Sequence, residues 1–317
     1  MRLLVSVFFL MSTVCYGESY IGADGPTFQV DNNLKAAPHA LGAVVPKDWA
    51  SKKMRAVKLD PVPIPAKFSW QDKATPIRNQ GNCGSCWSFS AQATIADVLA
   101  LHGKGAVDLS EQFMVSCDKT SYGCQGGWPT NAFELVRREG DVLEKDFPYT
   151  ASDSRCPASL PHIYKVVNYV TLSEGVADPE QIKQSIYQYG PVSVAVAVAG
   201  AFGNYRSGIY NESSSGQINH AVNIVGWDET EKPAHWIMRN SWGESWGEKG
   251  YMKIAYGSRK IGYAATYVDI YGPVPHNEPT PTPTPTPGPT PCPECPKCPD
   301  GDRCSFWGWL TGKCFSK

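Results

Sequence analysis

Strong charge of either sign is missing from this chain. Its 29 Lys and Arg face 30 Asp and Glu, a formal net charge of -1. No field of that size recruits nucleic acid or an anionic membrane. Long apolar runs are missing too. Leu3 to Val14 holds only about a dozen residues, against the ~20 that a spanning helix requires, so no stable membrane insertion is expected. No His-Glu-x-x-His pattern occurs, which argues against a metal-dependent hydrolase; neither a metal nor a cofactor is expected. The only visible repeat is an alternation of Pro and Thr near the C-terminal end. What remains is ordinary for a globular protein: 42% hydrophobic residues and 19% charged, enough for a substantial core.

The N-terminus reads as a signal peptide over residues 1–17. Arg2 supplies the positive start, Leu3 to Val14 the apolar stretch, and Cys15 and Gly17 the small residues at the third-from-last and last positions before a cleavage point. This predicts a secreted, extracellular protein, or one delivered to a periplasm, lysosome or vacuole according to its host. It also makes disulfides permissible. Residues 18–63 are polar, show little sustained apolar period and end in a proline cluster at Pro61, Pro63 and Pro65. Residues 64–273 hold most of the tryptophans and all the dense motifs. Residues 274–291 are a Pro/Thr-rich linker, expected to be extended polyproline II. Residues 292–317 form a Cys-rich tail.

Within 64–273 the first half reads helical. Trp87 to Leu101 has small and apolar residues at helical spacing before Gly103. Ser110 is a good cap for Leu109 to Cys117, and Pro129 suits the first turn of a helix that stops at Gly140. After Gly190, short β-branched or aromatic runs read as strands: Val192 to Val198, His220 to Trp227, Trp236 to Arg239, Tyr251 to Tyr256 and Tyr263 to Ile270. Helices first and strands second predict an α+β fold of two subdomains with a cleft between them.

The densest motif is Gln80-Gly81-Asn82-Cys83-Gly84-Ser85-Cys86-Trp87. A Cys-x-x-Cys pair alone could also be a redox or metal pair. Here Cys86 falls at the start of an expected helix, where unsatisfied N–H groups and the dipole stabilise a thiolate. A His220 at the start of a strand and an Asn240 in Arg239-Asn240-Ser241-Trp242-Gly243 follow about 130 to 150 residues later. The other histidines (His39, His102, His162, His235, His276) have no comparable context and are read as structural. With Cys15 lost, 64–273 holds five cysteines, an odd number that leaves one thiol free. Three pairings of the other four remain open.

These elements resemble the papain and cathepsin family of cysteine peptidases, over about residues 64–273. The resemblance implies the papain-like fold, a mainly helical N-terminal half and a β-rich C-terminal half with the active site between them. It implies Cys86 as nucleophile, His220 as acid/base, Asn240 orienting the imidazole and Gln80 in the oxyanion hole. It places Gly126, Gly127, Trp128, Pro129, Ala195, Ile218 and Ala221 along the substrate cleft, with an apolar preference at the second residue before the cut bond. Trp242 would shield the Asn240–His220 bond. It selects the disulfides Cys83–Cys124 and Cys117–Cys156. Residues 18–63 become an inhibitory propeptide, so the expected partners are a peptide or protein substrate and the chain's own propeptide. The long helical motif of many relatives is absent from it, which leaves its mode of inhibition open. No two-histidine insertion of the cathepsin B kind is visible, which favours endopeptidase action.

The tail is outside that resemblance. Cys292, Cys295, Cys298, Cys304 and Cys314 fit either zinc or disulfides, and Phe306, Trp307, Trp309 and Leu310 could dock a partner or glycan. The competing reading of the whole is a non-catalytic secreted binding protein on the same fold, working through this tail. A transferase using the same acyl chemistry is a third.

Overall fold

A computed structural model describes residues 19–20, 28–31, 39–51, 59–166, 168–213 and 216–276. The expected signal peptide, the Cys-rich tail and all but the first residues of the linker lie outside them. Four α-helices are described: α1 (Cys86–Leu99), α2 (Glu111–Cys117), α3 (Pro129–Glu139) and α4 (Pro179–Tyr189). Eleven strands are described: β1 (Ser19–Tyr20), β2 (Phe28–Val30), β3 (Lys67–Ser69), β4 (Asn168–Thr171), β5 (Val192–Val196), β6 (Tyr205–Ser207), β7 (Ile209–Tyr210), β8 (His220–Asp228), β9 (His235–Arg239), β10 (Tyr251–Ala255) and β11 (Tyr263–Asp269). None of the described helices is long and apolar enough to cross a membrane.

The α+β architecture expected from the sequence is present. α1 is buried on every side except at Ala93, as a helix enclosed by protein must be. It packs with α2 and α3 around Ile95, Phe113, Phe133 and Val136. Ser110 caps α2, its Oγ accepting from the Phe113 amide at 3.0 Å, and Pro129 and Gly140 bracket α3. The second half is an eight-stranded sheet in the order β4-β11-β5-β8-β9-β10-β7, with β3 also pairing β8. All nine residues of β8 are buried, because α1 covers the sheet there. A buried ion pair ties the halves together. Arg239 Nη1 of β9 donates to Asp97 Oδ2 of α1 at 2.8 Å, and Asp97 Oδ1 also accepts from the Thr75 amide and hydroxyl, each at 2.7 Å.

Two features were not anticipated. One is α4, capped by Asp178 and burying Ile182 and Ile186 against the sheet. The other lies in residues 18–63, read as polar and without a core role. β2 joins β1 and β6 in a separate three-stranded sheet. Phe28 and Val30, on one face of β2, enter the core of the β half, with the Phe28 ring 4.8 Å from Tyr210. Asp31 pairs with Arg206 at 2.9 Å. Three residues carry no visible period, so the alternation that buries Phe28 and Val30 escapes a pattern search.

Candidate active site

Cys86 is the first residue of α1. The turn before it is held by backbone and side-chain bonds: the Gly84 amide donates to Cys124 O at 2.9 Å, and the Ser85 and Tyr149 hydroxyls lie 2.6 Å apart. The disulfide Cys83–Cys124 fixes the same turn, and Cys117–Cys156 closes the neighbouring loop. Among the described residues Cys86 is the one free cysteine, and it is fully buried. That burial pushes its thiol up to about 11, opposed by the amides of Ala221, Gly42 and Trp87 that face it.

His220 opens β8 and is also fully buried. Its Nε2 lies 2.8 Å from Asn240 Oδ1. That oxygen also accepts the Ser241 amide at 2.8 Å, which fixes the orientation of the Asn240 amide. An acceptor opposite Nε2 requires the proton on Nε2, so Nδ1 carries the lone pair. Nδ1 is buried without a hydrogen-bond partner. Burial lowers the imidazole to about 4, the Asn240 bond opposing it. Trp242 stacks on the ring at 4.7 Å between centroids and is itself 4% exposed, so water is kept from the His220–Asn240 bond. Gln80 is held by Ser241 Oγ, which donates to its Oε1 at 2.7 Å.

The cleft is filled by residues 39–51 of the same chain. Gln80 Nε2 donates to the Ala40 carbonyl at 3.0 Å. The Gly127 amide donates to Gly42 O at 2.9 Å, and Val44 N to Gly127 O at 3.0 Å, in parallel pairing of Ala43 with Gly127. Ala43 N reaches Asn219 O at 3.1 Å. Gly42 lies so close to the turn before Cys86 that a Cβ there would stand 1.7 Å from Gly84 O. Only glycine permits that approach. Gly126 faces Val44 in the same way. His39 stacks on Trp242, with ring centroids 4.1 Å apart and ring planes nearly parallel.

Of the cleft residues named from sequence, Trp128, Ala195, Ile218 and Ala221 come together in one apolar cluster with Cys86. Gly126 and Gly127 instead lie against Gly42 and Val44 of the covering segment. Pro129 is not in the cluster; it is spent on the first turn of α3. Trp242 stands over His220 instead. The sequence reading missed Tyr263 and Ala264, which complete the cluster, and Asn219. It also missed His39, whose Trp242 contact only the fold creates. No group of three His, Cys, Asp or Glu among the described residues is arranged to hold a metal ion.

The family model described as papain family cysteine protease matches residues 64–270. Among similar proteins are a viral cathepsin of Heliothis zea nuclear polyhedrosis virus, 38% identical over 204 residues (63% of this chain, 55% of that one), and pro-cathepsin H of Bos taurus, 37% identical over 216 residues (64% and 63%). The chain thus spans about 55 to 63% of the length of these curated relatives. Among solved structures, digestive procathepsin L2 proteinase from Tenebrio molitor larval midgut superposes with a TM-score of 0.69 at 29% identity, over 76% of this chain and 84% of that one. A recombinant stem bromelain precursor gives 0.64 at 28% identity, over 74% and 78%. With the fold, the matched span and these relatives in agreement, the chain belongs to the papain family of cysteine proteases.

Proposed function

We propose that the protein is a secreted cysteine endopeptidase made as a zymogen. One observation carries the reading: Gln80 Nε2 is bonded to the Ala40 carbonyl, while the Gly42 amide of the same segment and the Ala221 amide next to His220 both face the Cys86 thiol. Once the cleft is emptied, Cys86 Sγ attacks the carbonyl carbon of a bound peptide. Gln80 Nε2 and the Cys86 amide take the charge that develops on oxygen, each donor worth roughly 3–4 kcal/mol in the transition state. The imidazolium of His220 gives its proton to the leaving amine as the C–N bond breaks, leaving a thioester. His220 then takes a proton from water, whose oxygen displaces the sulfur and releases the acid. Asn240 holds the ring throughout. The path of residues 39–51 supports endopeptidase action, since it enters past Trp242 and leaves past Trp128. The apolar walls support an apolar preference at the second residue before the cut bond.

Residues 18–63 serve as the inhibitor. The thiol faces the Gly42 N–H, and the chain pairs with Gly127 in parallel. Burial pushes the covered thiol up and the covered imidazole down, and both shifts oppose formation of the reactive thiolate–imidazolium pair under the cover. The signal peptide supports secretion.

The test is hydrolysis of a peptide library by reduced enzyme freed of residues 18–63, with Cys86→Ala beside it, across pH 4–8. The expected result is a bell-shaped profile and a loss of at least about 10⁴-fold in the variant. A folded, reduced enzyme inert on the whole library would overturn the reading.

A further inference from the structure

Trp49 is the largest side chain that residues 39–51 place in the cleft, and it is 2% exposed. It meets Trp128 edge-on, with centroids 5.1 Å apart, and the walls around it are Ala195, Ala221, Ala264, Ile218 and Tyr263. Three of these residues are alanines, the smallest side chains that can line such a cluster. At Ala264 the chain departs from regular pairing: β11 shifts register against β5 between Tyr263 and Thr266, and Ala264 has φ +53°. A bulge of this kind re-aims one side chain, and a non-glycine residue held at positive φ marks a place where backbone strain is tolerated for a local purpose.

The pocket is not wholly apolar. The Trp49 indole N–H donates to the Glu174 carbonyl at 2.8 Å. That carbonyl sits on a fixed backbone, because Ala264 N donates to Gly175 O at 2.8 Å and Val176 bridges to Tyr263. The stretch that supplies the acceptor is therefore tied to the residues that supply the walls. Trp49 lies beyond a turn, its amide donating to Pro46 O at 2.9 Å. Its backbone thus does not imitate a substrate; only its side chain does.

We infer that this pocket selects tryptophan in the substrate, as the second residue before the cut bond, with the three alanines admitting the indole and the Glu174 carbonyl reading its N–H. The inference rests on the peptidase reading above and narrows it from apolar side chains in general to one. A site with an acceptor placed for a donor discriminates against analogues that leave the acceptor unpaired. Phenylalanine fills less of the pocket and lacks the donor; leucine lacks both the ring and the donor.

The experiment uses enzyme activated from the folded full-length chain and four peptides that differ only at that position: tryptophan, 1-methyltryptophan, phenylalanine and leucine. The expected order in kcat/KM places tryptophan first. Methylation of the indole nitrogen costs about tenfold or more, and phenylalanine falls by about 10- to 100-fold. Ala264→Leu, which narrows the pocket, should lower kcat/KM for the tryptophan peptide by a larger factor than for the leucine peptide. As a second readout, a peptide of residues 39–51 should lose inhibitory potency by a similar factor on Trp49→Phe. If leucine or phenylalanine peptides are cleaved as well as tryptophan, or the methylated indole is accepted equally, the inference fails and the peptidase reading stands. If none of the four is cleaved and a broad library is inert as well, both fail.

Discussion

Two stretches of the leading segment meet the catalytic unit in different ways. At β2 the contact is made by side chains in a core: Phe28 and Val30 are buried with Tyr210 and Phe202. At residues 39–44 it is made by backbone: Ala40 O on Gln80, Gly42 O and Val44 N on Gly127, Ala43 N on Asn219. Core burial of an aromatic side chain is strong and indifferent to what the backbone does. Backbone pairing is weaker per contact but sets the chain's direction and its closeness to Cys86. On the proposed reading, the first contact would hold the segment and the second would make it block the cleft instead of being cut.

The largest effect expected from that division is at Phe28. Truncating a buried phenylalanine costs about 3–5 kcal/mol. Phe28→Ala in the intact zymogen should therefore raise the rate of Cys86 alkylation by iodoacetamide by more than about 100-fold, if β2 is what keeps residues 39–51 in place. An unchanged rate would mean that the cleft segment holds itself, and the comparison would break. Next in size is Gly42→Ala. The added methyl meets the Gly84 carbonyl, a backbone atom that cannot turn aside. Overpacking of this kind costs about 1–3 kcal/mol, so alkylation should accelerate by about 5- to 100-fold while the melting temperature stays near that of the parent, because β2 is untouched.

The candidate catalytic groups left a mark in the sequence and the segment lying over them did not, for a physical reason. Cys86, Gln80, His220 and Asn240 must be particular side chains, so they leave a motif. Ala40 and Val44 act through backbone atoms that any residue supplies, and Gly42 acts through the absence of a side chain. The strands β5, β8, β9, β10 and β11 were legible because each is a β-branched or aromatic run, whereas α4 was masked because it buries polar residues, Lys183, Gln184 and Ser185, beside Ile182 and Ile186. Pro129 was placed in the pocket because it follows Trp128, yet its fixed φ serves the helix start. Ala264 was missed because the bulge that turns it inward has no sequence signature beyond a small residue.

The smallest effect concerns acid. His39 is half-buried on Trp242, and burial holds its imidazole below 6.5, with the Gly203 backbone opposing. Once the segment lifts away, the ring returns to water and to its ordinary value. The docked form therefore binds fewer protons than the released form. The stabilisation that the neutral ring gives to docking is complete above about pH 6.5 and is lost as pH falls through the docked value. His220, driven to about 4 under the cover, acts in the same sense at lower pH. Arg206 and Asp31 pair with each other, and Trp242 stacks with both His39 and His220. His39→Phe keeps the stack and removes the proton. Alkylation of the parent zymogen should rise between pH 7 and pH 4 after correction for the intrinsic thiol rate, and His39→Phe should flatten that rise by less than about tenfold. Because His220 still responds, the variant should retain the steepening below pH 5. A profile in His39→Phe that matches the parent throughout would assign the whole response to His220 and leave the His39 stack as packing alone.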